Sequence, residues 1–220
     1  MKSIISTENL KKDYGQGDIT VHALRGVSIE LAEGEFTAMA GPSGSGKSTL
    51  LNILGGLDRA SSGSVFVDGK NVGEISGSAL SKLRRERIGF IFQNYNLVPV
   101  LTALENAEYV LMLQGMPVKK RRGKVMDVLE MVGLSGMENR CPREVSGGQQ
   151  QRVAIARAIV SQPALILADE PTANVDSETG DSLISLMEQL NEEKGATFLF
   201  STHDTAVMRR AKRLVLLKDG

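Results

Sequence analysis

The stretch Gly41-Pro42-Ser43-Gly44-Ser45-Gly46-Lys47-Ser48-Thr49 constrains this chain more than any other. It fits G-x-x-x-x-G-K-[ST], with Gly41, Gly46, Lys47 and Ser48 at the fixed places. Glycine tolerates left-handed backbone, so such a loop can close on an anion and aim successive N–H groups at it. A helix opening at the end of the loop adds the positive end of its dipole. The flanks agree with that geometry. Phe36-Thr37-Ala38-Met39-Ala40 reads as a buried strand, and Lys47 to Leu54 carries Leu50, Leu51, Ile53 and Leu54 at helical spacing. Strand, glycine loop and helix make a phosphate cradle built from Gly41, Ser43, Gly44, Ser45, Gly46, Lys47, Ser48 and Thr49. In it Lys47 reaches the terminal phosphates and the Ser48 hydroxyl ligates Mg²⁺.

Before the cradle the chain is strand-rich. Ile4 to Leu10 alternates weakly, as an edge strand does; Tyr14-Gly15-Gln16-Gly17-Asp18 reads as a turn; Val27 to Leu31 alternates as a strand with one wet face. After the first helix, Val65-Phe66-Val67 and Asp68-Gly69 read as a hairpin edge. Ser76 to Arg87 reads as a helix capped by Ser76, and Ile88 to Phe92 as a short apolar strand. From Tyr95 to about Val160 no convincing strand occurs. Ala103 to Leu113, Lys124 to Val132 and Gly147 to Val160 are predicted helices, which makes residues 95–160 a helical subdomain inserted in one domain spanning 1–220. Apolar strands then alternate with helices: Ala164 to Ala168, a helix from Ser177 to Lys194, Thr197 to Phe200, a short helix, and Arg213 to Leu217. That order predicts an α/β fold with a mostly parallel sheet flanked by helices, carrying an antiparallel β edge. Ligands of such sheets sit beyond the carboxyl ends of the strands, where the glycine loop, Asp169-Glu170 and His203 all fall.

Two acids at the end of an apolar strand are costly unless something cationic sits there. Beside a phosphate loop that cation is Mg²⁺, held by Asp169, while Glu170 is free to polarise an attacking water. Gln93 ends the strand Ile88 to Phe92 and can ligate the metal or the water. His203 can bond a γ-phosphate oxygen. Taken singly, Gln93 and His203 read first as structural groups. Ser146-Gly147-Gly148-Gln149 opens a helix with a cap hydroxyl and free N–H groups, which is a second anion site. Only one nucleotide site is otherwise furnished, so the second helix start needs an explanation.

Composition excludes several alternatives. The 220 residues are 41% hydrophobic and 24% charged, ordinary for a globular domain with a sizeable core. Lys+Arg 26 balances Asp+Glu 26, which argues against general nucleic-acid binding. A single cysteine, Cys141, excludes an internal disulfide and fits a reducing compartment. No apolar run approaches the ~18 residues a membrane span needs, and the first residues lack a signal-peptide core. The expected location is cytosolic, with any membrane link made through a partner. Basic runs at Arg84-Arg85-Glu86-Arg87, Lys119 to Arg122 and Arg209-Arg210 read as solvated helix faces.

Gly41–Thr49, Gln93, Ser146–Arg152, Leu165–Thr172 and His203 together resemble the ATP-binding subunit of an ABC transporter, in order and over nearly the whole chain. The resemblance implies a P-loop NTPase core that binds ATP and Mg²⁺ and hydrolyses the nucleotide. It also explains the second helix start: two copies pair head to tail, and Ser146-Gly147-Gly148 of one closes on the ATP of the other. It implies that Tyr14 stacks on adenine, that Glu170, His203 and Lys47 are catalytic, and that Ser48, Gln93 and Asp169 hold the metal. A membrane permease subunit is the implied second partner, with the chain peripheral on the inner face of the membrane; nucleic acid is not one. Gly89 to Leu97, Leu101 to Asn106 and Val21 to Val27 are similar to the lipoprotein-releasing and macrolide-exporting branch, whose motor does not move its cargo through the membrane. Residues Asn94 to Leu101 and the helices after them are the expected docking groove for the permease. Two departures stand out: Val145 where the family has Leu, and Ala173-Asn174-Val175-Asp176, where the family has Ser or Gly, then a small residue or Asn, then Leu-Asp, so that Asp176 is kept and Ala173 and Val175 differ. Soluble relatives acting on DNA or ribosomes usually carry two sets of these motifs, whereas one set occurs here. A non-catalytic scaffold would lack Glu170 or His203.

Overall fold

A computed structural model describes residues 2–16 and 19–220. Two five-stranded sheets lie against each other. The first is antiparallel and is built from β1 (Ser3–Gln16), β2 (Ile19–Val27), β3 (Glu30–Ala32), β5 (Ser62–Val67) and β6 (Lys70–Asn71). The second is wholly parallel, in the order β10 (Arg213–Leu216), β4 (Phe36–Ala40), β9 (Thr197–Thr202), β8 (Leu165–Asp169) and β7 (Ile88–Ile91). The helices are α1 (Lys47–Leu54), α2 (Gly77–Arg87), α3 (Ala103–Leu113), α4 (Val118–Met131), α5 (Gly147–Ile159), α6 (Ser177–Lys194) and α7 (Thr205–Arg210), with one 3-10 turn at Pro142–Glu144.

β4, β7, β8 and β9 are largely apolar because both of their faces are covered, whereas the edge strand β10 is exposed. Phe36, Ala38, Ile166, Ala168, Phe198 and Phe200 point to one face, where α3, α4, α5 and α6 pack. Met39, Leu165, Leu167 and Leu199 alternate to the other face, against α1, α2 and the antiparallel sheet. Phe36 anchors the first core, with ring centroids 5.5 Å from Phe198 and 5.0 Å from Phe200.

The helix boundaries follow local chemistry. Ser76 caps α2 by accepting from Ala79 N–H, and Thr102 with Glu105 forms a capping box on α3. Asp176 accepts from Thr179 N–H to start α6, and Gly195, at φ 65°, ends it. The Asp68-Gly69 turn has φ 48° and 74°, the left-handed pair that a two-residue hairpin requires.

Four expectations are corrected. The first strand is no edge: β1 pairs with β2, β3 and β5, and it runs to Gln16 because the hairpin continues through Tyr14↔Val21 and Gln16↔Ile19. Tyr14, Gly15 and Gln16 are therefore strand residues; the rest of the expected turn, Gly17 and Asp18, lies outside the described residues. Val27 to Leu31 is broken at Ser28-Ile29, because the chain leaves β2 on one part of β1 and joins another as β3. The helix expected from Lys124 begins at Val118, since Arg121 is tied to Glu108 of α3 at 2.9 Å, which carries the basic run into the helix.

Candidate functional site

The site lies at the carboxyl ends of the parallel strands, and sheet order builds it. β9 sits between β4 and β8, so the residues after these strands meet in a row. Gly46 caps α1 at φ 99°, and Gly44 has φ 80°; both need glycine. Gly41 has ordinary backbone, and its constraint is proximity: a Cβ there would come 2.0 Å from the Leu217 carbonyl oxygen. Lys47 is buried, and its Nζ donates to the carbonyls of Gly41 at 2.7 Å and Pro42 at 3.1 Å, so the ammonium is held inside its own loop. The Ser45 hydroxyl is buried without a hydrogen-bond partner, as a donor awaiting an anion would be.

Ser48 Oγ donates to Asp169 Oδ1 at 3.1 Å, joining loop to acid. Ser201, fully buried on β9, donates to the same oxygen at 2.6 Å and accepts from Glu170 N–H at 3.0 Å. Glu170 has φ 45°, a left-handed backbone that L side chains rarely adopt. Its Oε1 lies 2.9 Å from His203 Nδ1. Glu170 is mostly covered while His203 is 71% exposed, so the pair faces outward. Gln93 follows β7, which pairs Ile91 with Ala168; the parallel register sets Gln93 level with Glu170. Ser48, Asp169, Ser201, Glu170 and His203 thus form one hydrogen-bonded chain.

Ser201 escaped sequence reading. A serine in a buried strand has no signal of its own, although its position between two acids and a histidine follows once the sheet order is known.

A hydroxyl, one carboxylate and one amide are hard oxygen donors. No group of three or more His, Cys, Asp or Glu able to hold a metal occurs among the described residues. Mg²⁺ needs no such protein cage, because it binds through one or two carboxylates together with substrate phosphates and water. The donor set Ser48, Asp169 and Gln93 fits that ion.

Tyr14 lies on the antiparallel sheet, 41% exposed. Its hydroxyl donates to Asp58 Oδ2 at 2.6 Å, and Lys12 Nζ stands 4.6 Å from its ring centroid while binding Asp58 Oδ1 at 2.8 Å. Burial and the bond to Asp58 push the Tyr14 phenol above its ordinary pKa. The ring is therefore oriented, as a stacking platform must be.

Ser146–Gln149 makes a reciprocal capping box: Ser146 Oγ accepts from Gln149 N–H at 3.3 Å, and Gln149 Oε1 accepts from Ser146 N–H at 2.9 Å. No hydrogen bond among the described residues joins this helix start to Gly41–Thr49. Cβ atoms placed on Gly147 and Gly148 would instead meet Tyr95 Oη at 2.9 Å and Thr179 Cγ2 at 2.5 Å.

The sequence matches the family model described as ABC transporter over residues 24–173. MJ0796 of Methanocaldococcus jannaschii, an uncharacterised ABC transporter ATP-binding protein, is 45% identical over 221 residues, covering 99% of this chain and 94% of that one. The macrolide export ATP-binding/permease protein MacB of Mannheimia succiniciproducens is 44% identical over 218 residues, covering 99% of this chain and 34% of that longer protein. A solved dimeric, post-hydrolysis state of MJ0796 bound to ADP and Pi superposes with a TM-score of 0.92 at 44% identity, covering 98% of this chain and 95% of that chain.

Proposed function

The chain belongs to the ABC transporter family, as an ATP-hydrolysing cassette, and from that premise we propose how its residues share the chemistry between two copies. The bonded row Ser48–Asp169–Ser201–Glu170–His203 beside the phosphate loop carries the reading. Gly41, Ser43, Gly44, Ser45, Gly46 and Thr49 cradle the phosphates, and Tyr14 stacks on the adenine. Lys47 turns from the carbonyls of its own loop to the terminal phosphates. Ser48, Asp169 and Gln93 hold Mg²⁺, which when bound neutralises charge on the β- and γ-phosphates. Glu170 accepts a proton from the attacking water, and His203 fixes the Glu170 carboxylate and a γ-phosphate oxygen. The strained Glu170 backbone suits that task, since strain at a catalytic group is kept when the surroundings enforce it.

A second copy completes each chamber. The solved relative is dimeric with ADP and Pi, and Ser146–Gln149 of this chain has no nucleotide of its own to serve. We place Ser146, Gly147, Gly148 and Gln149 against the ATP of the partner copy. Residues 95–160 act as the helical subdomain that carries this segment.

The other partner is a membrane permease, as the fused domains of the macrolide exporter suggest. No helix among the described residues is long and apolar enough to cross a membrane, and the chain works on the cytoplasmic face through that partner, as in the lipoprotein-releasing and macrolide-exporting branch. Its docking groove involves the helix that follows Asn94 to Leu101. The Tyr95 hydroxyl is engaged by Asn174, and Leu97 packs on the core. A groove of about 440 Å³ runs between β7, the end of α1, α2 and α3, lined by Leu57, Phe90, Phe92 and Leu113. Arg84, Arg85 and Arg157 line it, no acid does, and Arg85 Nε is buried without a partner. It fits an amphipathic helix that brings acceptors or carboxylates.

Glu170→Gln keeps shape and removes the base. In saturating ATP with Mg²⁺ this variant is expected to elute as a dimer on gel filtration. A monomer under those conditions refutes the shared chamber.

A further inference from the structure

Gln93 reaches the chemistry only if the loop after β7 is fixed, and that loop is built against its own backbone preference. Tyr95 and Asn96 have φ 61° and 49°, two successive non-glycine residues in the left-handed region. Two sets of hydrogen bonds hold them there. On one side, Arg157 of α5 donates to the Tyr95 carbonyl at 2.7 Å and to the Asn96 carbonyl at 2.5 Å. Burial lowers the pKa of this guanidinium, and no carboxylate among the described residues pairs with it, so its donors are committed to the loop.

On the other side stands Asn174, in the segment between Glu170 and α6. Its Nδ2 donates to the Gln93 carbonyl at 2.9 Å and to Asn94 Oδ1 at 3.1 Å. Tyr95 Oη returns a bond to the Asn174 carbonyl at 3.0 Å, closing a ring of contacts between the two segments. The same hydroxyl is 2.9 Å from where a Cβ of Gly147 would stand, so only glycine lets α5 start this close. One small cluster therefore touches the strand end that presents Gln93, the segment after Glu170, and the helix start facing the partner's nucleotide.

We infer that Asn174, seconded by Tyr95, is a positioning residue that sets Gln93 against the hydrolytic site and ties it to the Ser146–Gly148 helix start. The inference rests on the role of Gln93 given above. It accounts for the asparagine: its side-chain amide donates to two oxygens while its backbone carbonyl accepts from Tyr95.

The test is steady-state ATPase on the full chain, titrating ATP and Mg²⁺ separately, with thermal unfolding in parallel. Asn174→Ala is expected to lower kcat about tenfold and to raise the Mg²⁺ concentration needed for half-activity. The KM for ATP should stay within about twofold, because the phosphate loop and Tyr14 are untouched. Asn174→Asp should be worse than alanine, since its carboxylate faces two oxygen acceptors. Tyr95→Phe should give a smaller loss of the same kind. Gln93→Ala combined with Asn174→Ala should be no slower than Gln93→Ala alone, as residues acting through one group are not additive. A wild-type kcat for Asn174→Ala while Gln93→Ala is impaired overturns the inference and leaves the role of Gln93 standing. Additive losses, or a lowered melting temperature with unchanged kcat and Mg²⁺ requirement, overturn it equally. A wild-type kcat for Gln93→Ala overturns both.

Discussion

Ser201 offers the sharpest perturbation, because one buried hydroxyl serves both acids. Ser201→Ala removes the 2.6 Å bond to Asp169 and the acceptor of Glu170 N–H at 3.0 Å. A hydrogen bond to a charged group is worth about 1.5–3 kcal/mol, and a stranded buried donor costs about 1–3 kcal/mol. The bond from Glu170 N–H is only part-buried, so a net loss of about 2–3 kcal/mol is expected. At roughly 2–4 °C per kcal/mol for a chain of this size, the melting temperature should fall about 4–12 °C. Catalysis should suffer separately. The Glu170 backbone at φ 45° costs of order 1–3 kcal/mol to hold, and Ser201 is its anchor. If half of the lost energy is expressed only with the water in place, kcat falls about tenfold. ATP and Mg²⁺ titrations with differential scanning fluorimetry would measure both effects. A variant with wild-type kcat refutes the claim that Ser201 fixes the base, whatever its melting temperature.

Lys47→Ala should reduce ATPase activity at least about a hundredfold, the scale of losing one preorganised phosphate clamp; activity within tenfold of wild type in a Mg²⁺-ATP assay would sink the loop assignment. Asp68 tests linkage. Burial pushes its carboxyl up, but hydrogen bonds and charge from Lys2 and Arg87 outweigh this and hold it below the usual carboxylate value. A depressed carboxyl contributes stability above its unfolded pKa of about 3.9 and loses it as pH falls through the folded value. Asp68→Asn, which keeps the left-handed turn, should melt lower than wild type at pH 7, and the gap should close below about pH 4; a pH-independent gap refutes the linkage. Leu113→Asp places a charge in the groove lining and should abolish co-purification with the permease; retained complex refutes that docking site.

Sequence legibility tracked how local each signal was. β4 and α1 were readable to the residue, because an apolar run of five and a glycine-lysine boundary each report on themselves. Gly195 suited the end of α6, where it stands as the left-handed terminator, whereas the cap of Asp176 came from the structure. The sequence places the phosphate loop, Asp169-Glu170 and His203 at strand ends, and the structure joins Ser48, Asp169, Glu170 and His203 through hydrogen bonds. The position of β1 was not readable, since weak alternation says which face is wet but not how many strands lie alongside. The start of α4 was hidden by its basic run, whose apolar partners are missing until Arg121 finds Glu108 on a neighbouring helix.

What escaped reading has one cause. Ser201 and Asn174 matter through partners at 31 and 81 residues' remove, and those partners are set by strand order. Ser48 and Asp169 meet directly across the end of β9. Inserting β9 between β4 and β8 puts a third strand end inside the site, and any small hydroxyl there must touch both acids. β7 pairs with β8 on the side away from β9, so Gln93 arrives level with Glu170 and beside the segment that follows it. Its orientation then depends on what that segment offers, which in this chain is the amide of Asn174. Asn174 can thus be read from sequence as an ordinary member of its segment, and as a hydrogen-bond donor aimed at a catalytic loop once the sheet is assembled.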